Sequence, residues 1–252
     1  MKSGEHREMV SPALQPSGAT NDSTAYAHRE RWIELCLVIF VVVVPLILSS
    51  LGGFLFGLKE TAPAMGDLSH AIAITSELGG LALVWYVLRK SNRTFRNLGL
   101  RWSIGQFGMG FHVAFVFMVV TGIAQSVYGS AYHFWMGEAY HRLDLTGYLF
   151  SGKPALMFAF LLIVPFFEEI IVRGYVMTEL AELSGSVTLA TVASVVLQTS
   201  YHLYQGWVSA GVLLVGFSVP AIYYAKTRKL LPVIVSHGLV DMFAFAVVMW
   251  KR

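Results

Sequence analysis

Long apolar runs separated by short polar segments dominate the chain. Seven runs approach the roughly 20 residues that a membrane-crossing helix needs. They cover residues 32–57, 68–88, 105–128, 154–174, 187–204, 207–225 and 230–250. In lipid only helices and closed barrels satisfy their own backbones, and these runs are too long and too uniformly apolar for barrel strands. The pattern therefore predicts an all-α fold, a polytopic bundle of roughly seven transmembrane helices. A very short turn near Tyr204–Gly206 joins the fifth and sixth runs. Residues 1–31 are polar, lack the apolar core of a signal peptide, and read as a flexible tail. Residues 32–149 supply the N-terminal transmembrane helices, and residues 150–252 carry most of the intramembrane chemistry. The polar, aromatic segment from Ser130 to Tyr148 reads as a short surface helix on the outer face.

Composition agrees with this pattern. Of 252 residues, 56% are hydrophobic and 13% charged, and the mean hydropathy is +0.62. Soluble domains carry about 25% charged residues. The net charge of +3 is better read as topology than as affinity for nucleic acid, since no basic surface interleaved with aromatics is present. With the N-terminus in the cytoplasm, the inner segments hold twelve Lys and Arg: Lys2, Arg7, Arg29, Arg31, Arg89, Lys90, Arg93, Arg96, Arg101, Lys226, Arg228 and Lys229. The outer segments hold five: Lys59, Arg142, Lys153, Lys251 and Arg252. The excess favours an N-in arrangement in a cell membrane, with residues 168–173 at the cytoplasmic end of the fourth span. Trp32, Trp102, Trp207 and Trp250 fall near span ends, as an interfacial belt requires. Gly53 and Gly57 form a GxxxG pair, a weak signal of close helix contact. The one cysteine, Cys36, reads as a small buried hydrophobe.

Ionisable residues inside spans are functional hypotheses by default. Three groups stand in the C-terminal half. Glu168, Glu169 and Arg173 form an EExxxR pattern. Glu169 and Arg173, four apart, share a helix face and can pair, whereas Glu168 is turned about 140° from Arg173 and is free to face something else. His202 lies in "QTSYHLYQG", and His237 and Asp241 lie four apart in "VSHGLVD". Asp241 can accept a ring N–H from His237 and fix its tautomer. Each group has an ordinary reading as an ion pair or a hydrogen-bonded core histidine. Together, from three helices, they make a set that can activate water and stabilise an oxyanion. Glu77, mid-span in "ITSELGG", is the least explained charge outside these groups.

EExxxR, a histidine one span later and HxxxD near the end resemble the motifs of the CPBP family. These are the CAAX prenyl proteases and bacteriocin-processing or immunity (Abi-type) proteins, glutamic intramembrane endopeptidases. The likeness covers about residues 150–250. It implies Glu168 as the base that activates water, His202 as the residue that positions that water, and His237 with Asp241 at the oxyanion. It places Glu169 and Arg173 in support. It also implies a membrane-associated or lipidated peptide as substrate and partner, and no cofactor. Two departures stand out: Gln198 where the family has Phe, and Asp241 where many members have Asn. An amide at 198 can bond to water or substrate. An ionised Asp241 cannot donate to an oxyanion, so the expected donor is His237. A zinc site of Glu168, His202 and His237 is a weaker alternative, because no HExxH pair stands on one helix. The rival from another class is a non-catalytic membrane protein, an immunity factor, transporter or scaffold, whose buried charges bind an ion or hold the bundle.

Overall fold

The computed structural model describes residues 18–56, 66–140 and 152–250. Among them are seven helices and no strand. Helix α1 comprises Gly18–Val38, a π-helical turn Ile39–Val43 and Val44–Phe56. Then come α2 Asp67–Lys90, α3 Ile104–Met136, and α4, which comprises Pro154–Glu168, a π-helical stretch Glu169–Val176 and Met177–Ser184. The last three are α5 Val187–Ser200, α6 Trp207–Thr227 and α7 Leu231–Trp250. Five of the seven are long and apolar enough to cross a membrane: α1, α2, α3, α4 and α6. Large apolar side chains line their outer surfaces, with Phe40 68%, Phe134 79% and Ile104 94% exposed. In water such a surface would aggregate; in lipid it is the solvated face. The chain is an integral membrane protein.

Helix α4 is the axis of the bundle. All eight residues of its π-helical stretch are buried, surrounded by Leu35 and Val38 of α1, Val84 and Leu88 of α2, and Val233 and Ile234 of α7. Gly80 lets α2 lie directly on it, since a Cβ there would come within 2.8 Å of the Phe167 ring. Helix α3 stands on the opposite flank against α6 and α7. One end of the bundle is tied by charge. Glu179 of α4, 2% exposed, is held by Arg31 of α1 at 2.7 Å and by Arg93 from the turn after α2. At the same end Lys90 meets Glu34 at 2.8 Å, and Arg228 donates to Thr178 at 2.9 Å. At the other end Asp67 accepts from the Lys153 amide at 2.8 Å. The turn at Leu98–Leu100 meets the start of α7, where the Leu230 amide donates to the Gly99 carbonyl. Gly99 has φ +85, and a Cβ there would strike the Arg228 carbonyl, so only glycine fits.

The apolar runs locate every helix but misplace several ends. The first helix already begins at Gly18, so helix replaces the last part of the expected tail; residues 1–17 lie outside the described residues. The apolar run fades there, but Arg31 is fixed by Glu179 and Glu182. Helix α4 likewise continues to Ser184. The EExxxR motif is therefore in mid-helix and not at a helix end, because Glu179 and Glu182 beyond it are accommodated by those same ion pairs. Residues 130–136 continue α3 rather than starting a surface helix, and 141–148 are outside the described residues. Helix α5 has only 14 residues, about 21 Å, shorter than a full span. Cys36 is exposed: on a lipid-facing surface an apolar residue needs no protein cover. Gly57 and the outer residues Lys59, Arg142, Lys251 and Arg252 are outside the described residues, as are Lys2 and Arg7.

Candidate active site

The site begins with the change of pitch in α4. Glu168 ends the α-helical part and Glu169 opens the π-helical stretch. Pro165 sits four residues upstream of Glu169, where it removes a backbone donor from the helical ladder. π-turns inside helices frequently occur at functional sites. Here the wide turn sends the two neighbouring carboxylates to different partners.

Glu168 is half-buried. Its Oε2 accepts from Gln198 Nε2 and from the Tyr201 hydroxyl, each at 3.0 Å. Both donors sit at the C-terminal end of α5, three residues apart. Gln198 thus reaches the carboxylate itself, where sequence pattern assigned its amide to water or substrate. His202 follows, its Nδ1 2.8 Å from the Gln198 carbonyl. A carbonyl only accepts, so Nδ1 carries the hydrogen and Nε2 is left for another partner. The His202 ring lies 4.9 Å from Tyr201 and 5.0 Å from Phe217 of α6, centre to centre.

Glu169 is buried and bridges two helices. Arg173, fully buried, approaches it with N···O separations of 3.4 Å, and its guanidinium lies 5.6 Å from the centre of the Phe217 ring. The other partner is His237 of α7, whose Nδ1 is 2.8 Å from Glu169 Oε1. His237 Nε2 faces Asp241 Oδ2 at 3.4 Å. The expected pairs, Glu169 with Arg173 and His237 with Asp241, are both present. The bond between Glu169 and His237 that joins them was not foreseen. With a carboxylate beside each ring nitrogen, the imidazolium form would donate from Nδ1 to Glu169 and carry its second hydrogen toward Asp241, an ion-pair contact rather than a hydrogen bond.

The seven residues singled out from sequence therefore fall into two connected clusters on α4, α5 and α7. Glu168, His202, His237 and Asp241 are partly accessible, whereas Glu169, Arg173 and Gln198 are buried. Tyr201 was missed. Its signal was its place three residues after Gln198 and beside His202, which puts it on the Gln198 side of the helix end. Among the described residues, no three His, Cys, Asp or Glu side chains are grouped to hold a metal ion.

No curated protein and no solved structure matches the chain. A family model does: residues 150–243, which carry all three motifs, match the Rce1-like family of type II CAAX prenyl endopeptidases.

Proposed function

We propose that the protein is an intramembrane endopeptidase that uses Glu168 to activate water against a peptide bond of a membrane-associated, lipidated substrate. The observation that carries this reading is the asymmetry of Glu168. Gln198 and Tyr201 both donate to Oε2, and no protein donor among the described residues holds Oε1. One oxygen is fixed and the other is left to accept a proton from water, which is how a general base is set up. His202, with its Nδ1 hydrogen committed to a carbonyl, offers Nε2 to the same water. As water adds, the carbonyl oxygen gains negative charge. His237 supplies the donor. Glu169 grips its Nδ1 at 2.8 Å, while the contact from Nε2 to Asp241 is looser at 3.4 Å, so Nε2–H is the hydrogen that turns to the oxyanion. Asp241 orients the ring. The amine then leaves once its nitrogen has gained a proton. Among the described residues no side chain is placed as a covalent nucleophile.

The family match supports a protease acting on prenylated C-terminal sequences. The clustering of Arg31, Lys90, Arg93 and Arg228 at one end of the bundle supports a cytoplasmic N-terminus by the positive-inside rule.

The test uses the purified protein in liposomes with a quenched fluorescent peptide ending in a farnesylated Cys-aliphatic-aliphatic-X sequence. Glu168→Gln and His202→Ala are each expected to slow cleavage about a hundredfold or more, without lowering the thermal midpoint in detergent. Full activity in Glu168→Gln would sink the mechanism. Activity lost on exhaustive chelation and restored by zinc would replace it with the metal alternative.

A further inference from the structure

Glu77 is a carboxyl that the proposed mechanism leaves unused. It sits midway along α2, is only 9% exposed, and its Oε2 is buried with no hydrogen-bond partner. It lies one turn before Gly80, on the same buried face, where α2 rests on Phe167 and Ile171 of α4. The two helices run in parallel there, with Asp67 beside Lys153, His70 against Phe160 and Gly80 against Phe167. That register sets Glu77 level with the turn ending at Glu168. Helix α7 crosses in the opposite sense, with Gly238 against Pro165, which brings His237 and Asp241 to the same depth. Glu77 is close enough to feel the charges of Glu168, His237 and Asp241.

The donors around the four carboxyls are unevenly distributed. Glu168 takes two hydrogen bonds, Glu169 lies between Arg173 and His237, and Asp241 faces His237. Arg173 and the imidazolium of His237 can balance two negative charges, not four. Unbalanced charge in a lipid-surrounded interior is costly. Two of these carboxyls have a buried Oε2 without a hydrogen bond, but that of Glu169 lies 3.4 Å from Arg173 Nε, whereas no cation among the described residues pairs with Glu77. Glu77 is therefore the member that best holds a proton, and a protonated carboxyl can donate where an ionised one cannot.

We propose that Glu77 is the general acid of the reaction, protonating the amine nitrogen as the peptide bond breaks. The step rests on the reading of Glu168 as base. Water gives one proton to Glu168, and its oxygen bonds to the carbonyl carbon. The C–N bond breaks, its electron pair goes to nitrogen, and nitrogen takes the proton of Glu77. The proton on Glu168 then returns to Glu77 through solvent, leaving one carboxylic acid, one amine and the enzyme as it began.

A general acid matters in proportion to how poor the leaving group is. The decisive measurement compares two probes: the farnesylated peptide, and the hydroxycoumarin ester of its acyl half, cut at the bond located by mass spectrometry. A phenolate leaves without a proton; an amine does not. In liposomes, Glu77→Gln is expected to lower the amide-to-ester rate ratio about a hundredfold, and Glu77→Asp, which keeps an acid, less than about tenfold. A ratio unchanged in Glu77→Gln, or falling equally in both variants, would overturn the assignment. Because it is a ratio, damage to folding that slows both probes alike does not imitate the result. Glu168→Gln run in parallel separates the two claims. It should lose both activities, and if it keeps both, the base has been misassigned rather than the acid.

Discussion

At the scale of single residues, the site is a matter of which carboxylate oxygen is held and which is open. Two adjacent glutamates, chemically identical, are made different by a phenol and an amide on one side and by a guanidinium and an imidazole on the other. The Tyr201 hydroxyl is the simplest handle on that difference. Tyr201→Phe keeps the ring against His202 and removes one of the two bonds to Glu168. A hydrogen bond to a charged group contributes about 1.5–3 kcal/mol, so kcat should fall about tenfold or more with KM little changed. An unchanged kcat would mean that the phenol does not position the base. The residues that form this arrangement were largely legible in the sequence, because ionisable residues in apolar runs are too costly to be incidental. Glu168, Glu169, Arg173, His202, His237 and Asp241 announce themselves that way. The bond from Glu169 to His237 does not. It depends on how α4 and α7 cross, and no periodicity within one helix reports a crossing. Tyr201 carries no formal charge and is common at membrane depth, so it stood out only once its hydroxyl was located.

At the scale of elements, hydrophobic runs predict helices well and their ends poorly. A run stops at the first charges, but a helix stops only when its backbone finds a cap. Helix α4 continues past Glu179 and Glu182, which are held by Arg31, to an end at Gly185 in left-handed conformation. Helix α5 then starts on Ser186, whose hydroxyl accepts from the Leu189 amide at 3.2 Å. The π-helical stretch was invisible, since no residue type demands one. Loops can also be strict. Gly99→Ala would force a methyl group into the Arg228 carbonyl at φ +85. The strain and overlap together are expected to cost about 2–4 kcal/mol, read as a lowered thermal midpoint in detergent. A midpoint equal to the wild type would show that the turn and the start of α7 separate freely.

At the scale of the whole molecule, one end of the bundle is fastened by a buried anion shared among three segments. Glu179 is 2% exposed and meets Arg31 and Arg93, whereas the side chain of its neighbour Glu182 is 47% exposed. Removing the buried charge leaves two arginines without their main partner. Both arginines reach solvent, so the cost is reduced from that of a fully buried pair, to about 1–3 kcal/mol. Glu179→Gln should therefore lower the thermal midpoint clearly, and Glu182→Gln should cost less than about 1 kcal/mol. Equal effects would remove the special place given to Glu179. The N-terminal half of this fastening could not be read in advance, because the pairs lie about 150 residues apart in the chain. A last consequence belongs to the lipid. Helix α5 shows Val187, Leu189, Val192 and Val196 outward, yet its 14 residues cover about 21 Å of a hydrocarbon layer about 30 Å thick. Acyl chains meet such a helix by shortening or leaning. The apolar flank that α5 offers is therefore shorter than the layer around it, and it ends at the turn that carries His202.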